Sequence, residues 1–100
     1  MPKIHADDIH FFSVESLLEA RPHLAHLRPR KYGDTIVLES GIKRSPVPHA
    51  RFRRVTKQWW NIEICIQPGH WDVLPDFRGQ LGQALELLDT SFPWVLVPRD

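Results

Sequence analysis

Hydrophobic and polar positions alternate most clearly between Ala50 and Ile66. Phe52, Trp60, Ile62, Ile64 and Ile66 fall on one side of the alternation, and Arg51, Arg53, Asn61, Glu63 and Cys65 on the other. A period of two marks half-buried strands, so the two runs read as a hairpin closed by Thr56-Lys57-Gln58. A three-residue loop sets Arg54 against Trp60, Arg53 against Asn61, Phe52 against Ile62, Arg51 against Glu63 and Ala50 against Ile64. A two-residue loop would set Phe52 against Glu63, and a slip of one residue turns a strand's apolar set to the wrong face. The pattern therefore predicts a core face and an outer face, the outer one bearing Arg51, Arg53 and Trp59.

The same reasoning extends in both directions. Gln67-Pro68-Gly69-His70 has proline and glycine where a type II turn wants them. A four-residue loop there pairs Ile66 with Trp71 and Ile64 with Val73, leaving Asp72 across from Cys65. Upstream, residues 35–39 alternate around Ile36 and Leu38 and predict the first strand, after a turn at Tyr32-Gly33-Asp34. Residues 40–48 form a loop broken by Gly41, Pro46 and Pro48. Downstream, Leu81, Ala84, Leu85, Leu88 and Phe92 make a helical stripe over 80–92. Gly82 weakens that helix by about 1 kcal/mol, and Pro93 ends it. Residues 94–97 are continuously apolar and read as a buried strand.

At the amino end, Ser13 reads as a helix N-cap with Glu15 in the first turn, followed by Val14, Leu17, Leu18 and Arg21 at helical spacing. Pro22 stops this helix, and 23–27 add a further helical turn closed by Arg28-Pro29. Residues 8–12 lack a clear period and read as a short strand or an extended arm. The fold predicted is α+β: an antiparallel β-meander of four to five strands packed against one C-terminal helix, with an N-terminal helix. It occupies a single domain over 1–100, with an arm at 1–12, a helical segment at 13–27 and the sheet and C-terminal helix at 33–97. The expected sheet core is Ile36, Leu38, Phe52, Trp60, Ile62, Ile64, Ile66, Trp71 and Val73.

Composition supports this picture: 42% hydrophobic and 25% charged residues are ordinary for a globular domain and argue against a disordered chain. Cys65 is the one cysteine, so no intramolecular disulfide forms and a reduced, cytoplasmic setting is expected. The amino end lacks the apolar stretch of a signal peptide, and no apolar run approaches the roughly 18 residues that cross a bilayer. The net charge of +1 conceals an asymmetry. Residues 28–57 hold nine basic residues (Arg28, Arg30, Lys31, Lys43, Arg44, Arg51, Arg53, Arg54 and Lys57) against Asp34 and Glu39. The rest of the chain holds four basic residues against ten acidic ones. Such polarity steers charged partners, unless folding lays the acidic segments against the basic ones.

Candidate chemistry is sparse. His23 and His26 stand three residues apart, but zinc wants four ligands, or three and a water, and no cysteine or carboxylate stands at a matching spacing. Cys65 beside Asp72 would have its thiol pKa raised, which suits a structural residue. The pairs Asp7/Asp8 and Asp72/Asp76 suit a solvated terminus and a turn. No phosphate-binding glycine loop and no nucleophile elbow is present, so the reading is of a protein without catalytic role, cofactor or metal. What remains is a basic, aromatic surface formed by Arg51, Arg53, Lys57 and Trp59, with Lys43 and Arg44 on an adjacent loop. Arginine and tryptophan are enriched at protein hot spots. Basic side chains also bind phosphates, and an exposed tryptophan can stack on a base.

Ala50-Arg51-Phe52-Arg53, Trp60, Gly69-His70-Trp71-Asp72, Pro75, Phe77-Arg78-Gly79, Leu85 and Phe92-Pro93-Trp94 together give the chain a resemblance to a group of short, uncharacterised bacterial proteins. The shared features are a basic-aromatic strand, a Gly-x-Trp-acidic turn, a Pro-Phe-x-Gly lead into the last helix and a closing aromatic segment. The likeness spans about 33–97, and Asp76, between Pro75 and Phe77, departs from the pattern. It implies a bacterial source and one compact domain, and brings no activity with it. The function expected is that of a small cytosolic protein-interaction module or regulatory subunit, its partner another protein, a second copy included. The alternative is nucleic-acid binding through the basic-aromatic face. No membrane association is expected.

Overall fold

In a computed structural model of the chain, which describes residues 4–98, the alternating segments become one five-stranded antiparallel sheet. Strands β1 (Arg28–Tyr32), β2 (Thr35–Ser40), β3 (Val47–Arg54), β4 (Trp60–Gln67) and β5 (His70–Val73) lie side by side in chain order. Helices α1 (Asp8–Glu19), α2 (Leu81–Ser91) and α3 (Pro93–Leu96), with a 3-10 turn at Pro22–Leu24, pack on one face of it. The architecture is the α+β meander that the periodicity predicts. Ile36, Leu38, Ala50, Phe52, Ile62 and Ile64 meet Val14 and Leu18 of α1, Leu85 and Leu88 of α2, and Val95 and Leu96 of α3 in a single core. Burying each large side chain of this kind contributes about 1.5–3 kcal/mol.

The central hairpin has the register set by matching its faces. Ala50 pairs with Ile64, Arg51 with Glu63, Phe52 with Ile62, Arg53 with Asn61 and Arg54 with Trp60. The Val55 N–H donates to the Trp59 carbonyl at 2.9 Å and closes the loop over Thr56, Lys57 and Gln58.

Elsewhere the chain departs from the expectation. Helix α1 begins at Asp8 rather than after Ser13, so 8–12 are neither strand nor arm. Asp7 is its N-cap, and the Asp7 N–H donates to Nδ1 of His10 at 2.9 Å, satisfying a donor that helix geometry leaves orphaned. Strand β1 adds a pairing that Arg-Pro-Arg-Lys-Tyr does not announce, Pro29 being tolerated because β1 is an edge. The β4–β5 register differs by one residue. Pro68-Gly69 alone forms the turn, with Gly69 at φ +83°, Gln67 pairs with His70, and Ile66 is left over as a bulge. Cys65 then faces Trp71, Ile64 faces Asp72 and Glu63 faces Val73. Ile66, Trp71 and Val73 consequently leave the core, and Leu74 and Phe77 pack against it instead. The expected strand at 94–97 is the short helix α3: Pro93 suits a first helical turn, and Val95 and Leu96 are buried while Trp94 and Val97 are exposed.

Candidate functional site

On the face away from the helices, the sheet sets arginines and glutamates in rows. Glu63, its side chain only 6% exposed, accepts from Nε of Arg51 and Nε of Arg53, both at 2.6 Å. Arg53 also donates from Nη1 to Asp34 at 2.7 Å, and the Arg51 guanidinium lies 4.0 Å from the ring centroid of Trp71. One row over, Glu39 receives Arg30 at 3.0 Å and Arg28 at 3.5 Å. Beneath these long side chains Val37, opposite Arg51, and Cys65, opposite Trp71, are buried although no helix covers them. Burial pushes the Glu63 carboxyl up, but the hydrogen bonds and charges of Arg53 and Arg51 outweigh it and hold it below the ordinary 4.5. The Glu63 hydrogen bond in turn holds the Arg53 guanidinium up.

Of the residues expected to meet a partner, Arg51 and Arg53 do share the outer face, joined through Glu63. Lys57 and Trp59 sit at the β3–β4 loop and are exposed. Lys43 and Arg44 do not join them. Their loop links β2 to β3, at the opposite end of β3 from Lys57. Consecutive turns of a meander alternate between sheet ends, a rule that already separates these loops in the sequence. Among the described residues, Lys43, Arg44 and Lys57 have no carboxylate within salt-bridge reach, whereas Lys31 pairs with Asp8 and Arg54 with Asp7.

The other chemical candidates resolve into structural contacts. His23 binds Asp89 at 2.8 Å, beside the Arg21–Asp89 pair, while His26 meets the Leu96 carbonyl at 2.6 Å. No group of three metal-ligating side chains comes together among the described residues. A bulge in β3 turns His49 inward, where Nε2 meets Ser40 Oγ at 2.7 Å and Nδ1 meets the Val95 carbonyl at 2.9 Å. Ser40 and His49 resemble a nucleophile–base pair, but both are buried, so the contact serves to anchor α3 to the sheet. The Cys65 thiol donates to the Gln67 carbonyl at 3.3 Å within the β4 bulge. No helix among the described residues is long and apolar enough to cross a membrane.

A broad concavity lies on the helix side, where α1, the β3–β4 loop and the start of α2 converge around an open groove of ≈ 750 Å³, and a second of ≈ 670 Å³, lined by Phe11, Phe12, Glu15, Arg30 and Lys43 among others, lies between α1 and β1. Small residues open the first: Ser13 and Ser16 on α1 and Ala20 at its C-cap lie across from Gly82 on α2. Trp60 and Leu81 are its buried floor. Ile9 and Phe12, one helical turn apart on α1, stand at its lip 69% and 59% exposed. Among the described residues, Lys57 is the one lysine or arginine lining it, and no carboxylate lines it. Backbone hydrogen bonds between Trp60 and Gly79, at 2.8 and 3.2 Å, tie the floor to the chain entering α2. A side chain at Gly79 would fall 2.8 Å from Gln83 Oε1 and 2.9 Å from the Phe77 ring, so it would have to displace both side chains. His10 packs edge-on to Trp60 at 5.0 Å, and burial, then the charge of Arg54, lower its pKa below 6.5 against the opposing charge of Asp7.

Sequence reasoning missed this groove because its lip belongs to 8–12, the segment without an evident period. The available signal was Ile9 and Phe12 lying off the stripe formed by Phe11, Val14 and Leu18, which leaves α1 with more apolar surface than one face needs. Comparison of the chain with family models, curated proteins and solved structures gives no match.

Proposed function

We propose that this protein is a cytosolic, non-catalytic protein-binding module, a subunit or regulator within a larger assembly. Its partner lays an amphipathic segment into the groove between α1, the β3–β4 loop and α2. The observation that carries this reading is the exposure of Ile9 and Phe12 beside the apolar floor of Trp60 and Leu81. Large apolar side chains side by side in water at a concave surface mark a binding site. The occupant fitted by charge is a segment with apolar anchors and a carboxylate for Lys57, since the groove lining contributes no acid of its own. Nucleic-acid binding has less support, because Arg51 and Arg53 already hold carboxylates.

A displayed library of random peptides about twelve residues long tests this, since helix-in-groove ligands are of that order. Selection on the wild-type protein should enrich apolar peptides containing Asp or Glu, and Phe12→Glu should weaken their binding at least about tenfold, the scale of a lost hot spot. Enriched peptides that bind F12E as tightly as wild type would overturn the assignment.

A further inference from the structure

We infer that β5 is a self-pairing edge, through which two copies of this chain join their sheets antiparallel into one. The sheet has two terminal strands, β1 and β5. Exposed strand edges invite pairing unless charge or proline blocks it. In β1, Arg28, Pro29, Arg30 and Lys31 would set cation against cation and remove a donor. β5 lacks the cations and the proline of β1: His70-Trp71-Asp72-Val73 carries one carboxylate and no lysine, arginine or proline.

The charges are arranged for a copy of themselves. Trp71 lies opposite Cys65, and Val73 opposite Glu63, on the outer face, while Asp72 lies opposite Ile64 on the helix side. Alternation places His70 with Asp72. A two-fold axis perpendicular to the sheet keeps faces together, so only registers centred on a residue are allowed. Centring on Asp72 opposes two carboxylates, and centring on His70 opposes two imidazoles. Centring on Trp71 sets His70 against Asp72 of the second copy twice over, and brings the two Trp71 positions side by side on the outer face. In that register Val73, 54% exposed, meets the other copy's Gly69, where no atom lies within 4 Å of a Cβ position. The exposed Ile66 of the neighbouring bulge flanks the junction. Four paired residues a side make a small interface, so the dimer forms reversibly with concentration. The inference does not depend on the groove, which lies at α1 and the start of α2.

Sedimentation velocity from about 1 to about 500 µM tests the register as well as the association. The wild-type mass should rise from monomer to dimer. His70→Asp, which opposes two acids, should raise the dissociation constant at least about tenfold. The exchanged double variant His70→Asp/Asp72→His restores the two imidazole–carboxylate pairs and should dimerise within about threefold of wild type. A wild type that stays monomeric throughout, an H70D variant that dimerises unchanged, or an exchange that fails to restore association would each overturn the inference.

Discussion

Glu63 sits between two arginines on a sheet face that no helix covers, yet only 6% of its side chain is exposed. Its partners favour the ionised form there, against burial, which alone would raise its pKa. Removing it leaves Arg51 with only the Trp71 ring and Arg53 with only Asp34. Glu63→Gln should therefore destabilise the fold by about 1–3 kcal/mol at neutral pH, the range for a lost charge-assisted hydrogen bond in a part-buried site. The sign with pH follows from the direction of the shift. The folded pKa lies below 4.5, so the contribution is present above 4.5 and is lost as pH falls through the folded value. Urea unfolding of wild type and E63Q should give a gap in stability at neutral pH that closes on acidification. A gap that persists at the acid end would mean that the carboxylate's charge is not what stabilises the face. The adjacency of Arg51 and Glu63 was readable from register alone. The second pairing, through Arg53, was not, because a diagonal neighbour depends on sheet twist and side-chain reach.

Helix α1 shows what an element owes to its first turn. Nδ1 of His10 can accept the Asp7 N–H only while unprotonated, since protonation would set donor against donor. The folded pKa is depressed below 6.5, so this stabilisation is present above 6.5 and lost as pH falls through the folded value. Gln at the same position can accept the same bond without titrating. Thermal melts of wild type and His10→Gln between about pH 7.5 and about pH 5 should show wild type losing stability that H10Q retains. Parallel curves for the two proteins would remove the ring from the cap. The elements differ in how far they could be read. β3 and β4 were legible with their register because both alternate and their mismatched pairing is costly. α2 was legible from its stripe. β1 was hidden because an edge strand needs no alternating apolar face. β5 was found but set in the wrong register, because a bulge at Ile66 absorbs one residue and hands Trp71 to Arg51. α3 was mistaken for a strand because four apolar residues satisfy either periodicity. The groove was out of reach for a related reason: it joins Phe12, Lys57 and Leu81 from three distant elements, and no local pattern encodes their meeting.

For the molecule as a whole, folding undoes most of the charge asymmetry seen along the chain. Arg28, Arg30, Lys31, Arg51, Arg53 and Arg54 each acquire a carboxylate, four of them from outside the basic segment, through Glu63, Asp8 and Asp7. Arg53 uses both sources, with Asp34 on one side and Glu63 on the other. The cations left over in the basic segment, Lys43, Arg44 and Lys57, are divided between the two ends of β3. Eight strand residues at about 3.3 Å each hold those ends more than about 20 Å apart. A nucleic-acid strand tracking a continuous basic groove gains affinity from every counterion it releases. Here it would have to break existing ion pairs or bridge isolated lysines and arginines. Fluorescence anisotropy with a labelled oligothymidine should therefore show at most weak binding at low salt. With Arg78, outside the basic segment, four cations among the described residues have no ion pair, which limits the slope of log K against log salt to about −3. A slope several times steeper would mean that the paired arginines open to phosphate, and that the ion-pair rows of the outer face form a latent basic surface rather than a closed one.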